Sequence, residues 1–137
     1  MALTHLIDTS VATRLNREPV EQRLLLAVSR KRIGRTRLTD LERGFSARNS
    51  HEWDSMVGGL GTFPLVAIND GDLRDALDVQ RRLAAKSQRG RKLPDLIIAA
   101  AAHRLDLTVL HYDVDFDLVA TETGQKSEWV VPRGSIH

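Results

Sequence analysis

The chain has no cysteine, which removes disulfides, thiolate metal sites and cysteine nucleophiles together. Any metal it holds must sit on oxygen or imidazole. No apolar run approaches the ~20 residues needed to cross a bilayer. The first ten residues, MALTHLIDTS, lack a basic segment followed by a long apolar stretch and a small-residue cleavage site, so a cytoplasmic location is expected. Internal repeats, low-complexity segments and linkers are also missing, and 137 residues suit a single domain over 1–137. What is present is ordinary for a soluble globular protein: 42% hydrophobic and 28% charged residues leave no case for disorder.

The formal net charge is only +2, but the charges are grouped. Arg30, Lys31, Arg32, Arg35 and Arg37 follow one another without an acid, as do Arg81, Arg82, Lys86, Arg89, Arg91 and Lys92. Asp113, Asp115, Asp117 and Glu122 form an acidic run. Basic blocks beside an acidic focus suit a polyanion held near a metal; solvated helix faces are the plainer account of any one block.

Along the chain, apolar runs alternate with helical periodicity. Thr4–Ile7 predicts a strand ending at Asp8, and Thr9 and Ser10 supply cap chemistry for a helix through Leu15. Pro19 opens a second helix reaching about Arg30. Ile33–Leu38 predicts a poor strand, followed by helices from Thr39 and from Ser50. Gly58-Gly59-Leu60-Gly61 has neither a strand before it nor Lys-Ser/Thr after it, and reads as a turn. Phe63–Ile68 predicts a strand near a sheet edge, because of Pro64. Asn69–Asp72 caps a long helix, and Pro94 and Asp95 open an alanine-rich one that closes at His103–Asp106. Leu107–Leu110 and Glu128–Val131 predict strands on either side of a short helix around Leu118–Ala120. The pattern is α/β: a mainly parallel, roughly five-stranded sheet covered on both faces, with its ligand site outside the carboxyl ends of the strands.

Four acids meet that rule. Asp8 and Asp113 follow two strands, and Asp95 and Glu42 fall in the first turns of helices that begin on the same side. Each alone has an ordinary account, as a helix-start acid worth ~0.3–1 kcal/mol, a surface residue or a turn former. Together they would repel one another unless a divalent cation compensates, and oxygen-only ligands suit Mg²⁺ or Mn²⁺ better than zinc.

Asp8-Thr9-Ser10 after a strand, Leu41-Glu42 with Phe45-Ser46-Ala47-Arg48, Pro94-Asp95-Leu96-Ile97-Ile98-Ala99, His111–Phe116 and Glu128-Trp129-Val130-Val131-Pro132 resemble PIN-domain proteins. Within these the likeness is to the VapC toxins of bacterial toxin–antitoxin pairs, especially the actinobacterial type, and it spans nearly the whole chain. The resemblance implies a three-layer α/β/α fold and an endoribonuclease dependent on Mg²⁺ or Mn²⁺. It also implies a homodimer neutralised by a small VapB-like antitoxin that docks over the active site. Carried over, the acids are Asp8, Glu42, Asp95 and Asp113, with Asp115 as a fifth and Asp40 as the alternative to Glu42. Thr9 or Ser10 would orient Asp8 or a water. The basic residues at 30–37 and 81–92 would bind RNA phosphates without reading sequence. His103 and His111 are expected to be positional, and with aromatics at 4% of the chain Trp53 and Trp129 are expected in the core. A receiver-like phosphoacceptor domain would want a lysine after the last strand, where Pro132 and Arg133 stand. A non-catalytic partner-binding PIN domain would tolerate losing an acid, and all four are present.

Overall fold

Side-chain alternation in two short strands divides the interior. In β1 (His5–Ile7) and β3 (Thr108–His111), Leu6 and Val109 join one apolar cluster while Ile7 and Leu110 join the other, the two-residue period of a sheet buried on both faces. The computed structural model describes residues 2–88 and 92–137; Arg89, Gly90 and Arg91 of the second basic block lie outside the described residues. β2 (Ile33–Gly34) and β4 (Ser127–Trp129) complete a parallel sheet in the order β2-β1-β3-β4.

The first face is covered by α5 (Asp70–Ala85), α6 (Leu93–Arg104) and α7 (Asp115–Thr123), the second by α1 (Thr9–Ala12) and α2 (Glu18–Ser29). α6 is buried through Ile98, Ala99, Ala101 and Ala102, and its small side chains let the backbone lie close to the sheet. α3 (Arg37–Phe45) and α4 (Ser50–Gly58) follow β2. Gly59–Thr62 forms one 3₁₀ turn, consistent with a turn rather than a phosphate loop. None of the described helices is long and apolar enough to cross a membrane.

Among the described residues the sheet has four strands, one fewer than the sequence predicts. The run Phe63–Ile68 makes only an isolated parallel bridge, Leu65 to Arg35, with Arg35 N–H donating to Pro64 O at 2.9 Å and Val66 N–H to Arg35 O at 2.7 Å. Its partner runs out: Thr36 is already the N-cap of α3, and Pro64 has no N–H to give. Gly34 permits the contact, since a Cβ there would lie 2.8 Å from Val66 Cγ2 and 3.3 Å from Pro64 O.

Because β1 lies between β2 and β3, the chain leaves β1 in one direction and returns to it from the other. That reversal is the topological switch point of a parallel sheet. His5 pairs with Thr108 and Ile7 with Leu110, so whatever follows Ile7 and His111 emerges side by side.

Candidate active site

Asp8 ends β1 and is the N-cap of α1, its Oδ2 accepting the Ser10 N–H at 3.0 Å. The cap is therefore Asp8 rather than Thr9 or Ser10, because the helix begins at Thr9. The two hydroxyls are left for other work. Thr9 Oγ1 donates to Glu42 Oε1 at 2.6 Å, and Ser10 Oγ accepts the Tyr112 N–H at 2.8 Å. Thr9 thus orients Glu42, and Ser10 ties α1 to the segment after β3.

α3 carries both Asp40 and Glu42, and they part company. Asp40 is buried against two arginines, Arg35 Nε at 2.8 Å and Arg37 Nη1 at 3.1 Å. Glu42 faces the same cavity as Asp8. Asp95 lies in the first turn of α6, behind Pro94, and only 3% of it is exposed. Asp113 Oδ1 accepts the Asp115 N–H at 2.9 Å, which starts α7, and Asp113 Oδ2 accepts from Lys92 Nζ at 2.5 Å.

A cavity of about 240 Å³ brings Asp8, Glu42, Asp95 and Asp113 together with Thr9, Ser10, Arg14, Lys92 and Tyr112. Asp115 adjoins it: one carboxylate oxygen from each of Asp95, Asp113 and Asp115 lies within 4.8 Å of the others. Burial pushes the Asp95 carboxyl up to about 8, helped by the neighbouring charges of Asp8 and Asp113. Burial also raises Asp8, against the bonds from Ser10. For Asp113, burial is outweighed by the Lys92 ammonium and the Asp115 N–H, so its carboxyl sits below the usual range.

Asp8 Oδ1 and Asp95 Oδ2 are buried without a hydrogen-bond partner. Leaving such oxygens unpartnered is costly, and an all-oxygen donor set of this charge fits a hard divalent cation. In the absence of one, a proton on Asp95 is the cheaper arrangement.

His111 is fully buried, stacked on Phe116 at 5.0 Å, and its Nδ1 accepts the Asp113 N–H at 3.2 Å. It holds the backbone of Asp113. His103 is exposed in the last turn of α6. Trp129 packs its ring against those of His111 and Tyr112. Trp53, expected in the core, is 45% exposed. It lies across Gly44, where a Cβ would come within 2.7 Å of Trp53 Cδ1, so the glycine lets α3 and α4 close without enclosing the indole. Beside it Leu41 and Phe45 are also exposed.

No pattern in the sequence singles out Arg14 or Tyr112, and Lys92 stands there only as part of a basic block. The available signal for Lys92 was its place three residues before Asp95, at the N-cap of α6.

Comparison with known proteins agrees with this fold. The PIN domain family matches residues 5–122. Ribonuclease VapC51 of Mycobacterium tuberculosis is 50% identical over 136 residues, covering 99% of each chain, and Ribonuclease VapC18 of the same organism is 36% identical over 133 residues, covering 95% and 97%. Among solved structures, DNA-bound VapBC from Salmonella typhimurium aligns with a TM-score of 0.78 at 18% identity, over 94% of this chain and 99% of that one. VapBC2 from Rickettsia felis, bound to a promoter DNA fragment, aligns at 0.75 and 15% identity, over 93% and 98%. At these identities the structures share the fold.

Proposed function

The chain belongs to the PIN-domain family, among its VapC ribonucleases, and from that premise we propose that it is a metal-dependent endoribonuclease, the toxin of a toxin–antitoxin pair. It acts in the cytoplasm as one domain over 1–137, and Asp8, Glu42, Asp95 and Asp113 are its catalytic acids. The observation that carries this reading is the pair of buried, unpartnered oxygens, Asp8 Oδ1 and Asp95 Oδ2, in a cavity with two further acids.

Asp8, Asp95 and Asp113 would hold the Mg²⁺ or Mn²⁺, with Glu42 and Asp115 completing the acidic surround. When bound, the ion supplies the positive charge that acidifies water and offsets charge building on the phosphate. The chain's own part is positional. Ser10 N–H fixes Asp8, Thr9 Oγ1 fixes Glu42, and His111 fixes the turn that presents Asp113. Arg14 and Lys92 bring positive charge to the cavity wall, where an RNA phosphate needs it.

The antitoxin would dock on the exposed Leu41, Phe45 and Trp53, which continue from Glu42 along α3 and onto α4. A second apolar cleft, lined by Leu73, Ala76, Leu77, Leu93, Leu96 and Ile97 between α5 and α6, suits a copy of the same chain.

The test is RNA cleavage with Mg²⁺ or Mn²⁺, and with chelator, by the wild type, Asp8→Ala and Asp95→Asn. Cleavage by the wild type with metal only, lost in both variants, is the expected result. Equal cleavage by all three, or cleavage indifferent to chelator, would remove the proposal. Toxicity on expression, relieved by a neighbouring small open reading frame, separates a toxin from a housekeeping nuclease.

A further inference from the structure

We propose that Lys92 is a resident counter-ion of the acid cluster, which a divalent cation must displace to bind. This rests on the reading that the acids hold such a cation. The geometry begins with Asp113, whose two oxygens have different duties. Oδ1 is committed to the Asp115 N–H that starts α7, so Oδ2 is the oxygen left to face a ligand. Lys92 Nζ sits on Oδ2 at 2.5 Å.

The position of the ammonium is set by the same backbone that sets Asp95. Lys92 is the N-cap of α6, and its carbonyl accepts the Asp95 N–H at 3.1 Å. One helix start therefore delivers an acid to the cluster and a cation to its partner. The candidate ligand oxygens of Asp95, Asp113 and Asp115 lie within 4.8 Å of one another, and the ammonium is bonded to one of the three acids, Asp113. An ammonium is a compact point charge on a flexible stem, so it partly neutralises the cluster without filling it.

Displacement is feasible because the two partners are unequally buried. The Lys92 side chain is 59% exposed and that of Asp113 14%. The lysine can swing into water while the aspartate stays, and a doubly charged ion takes over the freed oxygen. Arg14 lines the same cavity but is held differently, by the main-chain oxygens of Ser10 at 2.7 Å and His137 at 3.0 Å. It is bonded to none of the side-chain carboxylates of the cluster and serves as the internal control.

Mn²⁺ binding, followed by calorimetry or electron paramagnetic resonance, should be compared in wild type, Lys92→Met, Lys92→Gln, Arg14→Gln and Asp95→Asn. Thermal unfolding with chelator runs alongside. Both Lys92 variants are expected to bind Mn²⁺ about five- to tenfold more tightly, less than a buried charge-assisted hydrogen bond would give because the ammonium is more than half exposed, and to unfold earlier when metal-free. Arg14→Gln should bind Mn²⁺ as the wild type does. Equal tightening by Arg14→Gln would reduce the effect to net charge and overturn the proposal. Unchanged affinity in the Lys92 variants, with Asp95→Asn losing Mn²⁺, would overturn it while leaving the metal site standing. Failure of wild type and Lys92 variants alike to bind Mn²⁺ would overturn the reading of the site, and the proposal with it.

Discussion

Asp95 releases its proton near 3.8 in an ordinary setting and near 8 in this fold. Between those values the metal-free folded chain keeps a proton that the unfolded chain has lost, so this acid's contribution to stability falls as pH rises through that window. Burial of His5 and His111 lowers their pKa from 6.5, which acts the opposite way below that value. Without cation, the unfolding temperature should therefore decline between pH 6.5, above which the histidines no longer oppose it, and about 8, and Mg²⁺ or Mn²⁺ should flatten the decline. Asp95→Asn should remove most of the slope and raise the metal-free unfolding temperature at alkaline pH, while lowering RNA cleavage by ~100-fold or more. A level wild-type profile in chelator would contradict the placement of this acid. At this scale the sequence was a good guide to Asp8, Asp95 and Asp113, because each follows or opens a strongly marked element. It was a weak guide to Glu42 against Asp40. Two residues are about 200° apart on a helix, so which one faces the cavity depends on how α3 is rotated. Of the partners that claim Asp40, Arg35 follows a strand too short to read and Arg37 opens α3 itself.

At the scale of elements, α5 shows a start signal that the sequence announced in full. Asn69 Oδ1 accepts the Asp72 N–H and Asp72 Oδ2 accepts the Asn69 N–H, both at 3.0 Å, a reciprocal capping box. Asp72 is fully buried, and Arg104 at the end of α6 donates to both its oxygens. Asp72→Ala should cost about 2–3 kcal/mol in urea unfolding, combining a lost cap with an orphaned, part-exposed arginine. The variant, once folded, should still cleave RNA, since this bond lies outside the acidic cavity. Asp72 sits below the ordinary carboxyl range, its burial outweighed by the bonds from Arg104 and Asn69, so its contribution is present above the ordinary range and lost as pH falls through its own lowered value. The elements that the sequence misjudged are those without an internal signal. β2 is two residues long, and the run at Phe63–Ile68 has strand composition but a partner of one residue. Composition records what could pair; it does not record whether a neighbour remains available.

At the scale of the whole molecule, apolar side chains left outside the core among the described residues include Phe45 with its neighbours and those lining the cleft between α5 and α6. Phe45 is 90% exposed, and Phe45→Ala should leave RNA cleavage unchanged while weakening antitoxin capture by ~10–100-fold, as loss of an aromatic anchor does. Loss of cleavage in that variant would place Phe45 in substrate binding instead. Leu77→Asp, in the cleft between α5 and α6, should convert a dimer to a monomer by light scattering.

The pairing of β1 with β3 also sets a schedule. His5 meets Thr108 and Ile7 meets Leu110, so Asp8 waits through the synthesis of nearly the whole chain before Asp113 arrives beside it. At roughly 5–20 residues per second on the ribosome, a nascent chain spends several seconds carrying Asp8, later joined by Glu42 and Asp95, before Asp113 completes the set. A chain interrupted anywhere before β3 carries no assembled centre. A toxin so wired stays incomplete until β3 has emerged and paired with β1, which leaves an interval for an antitoxin to be made and to be waiting.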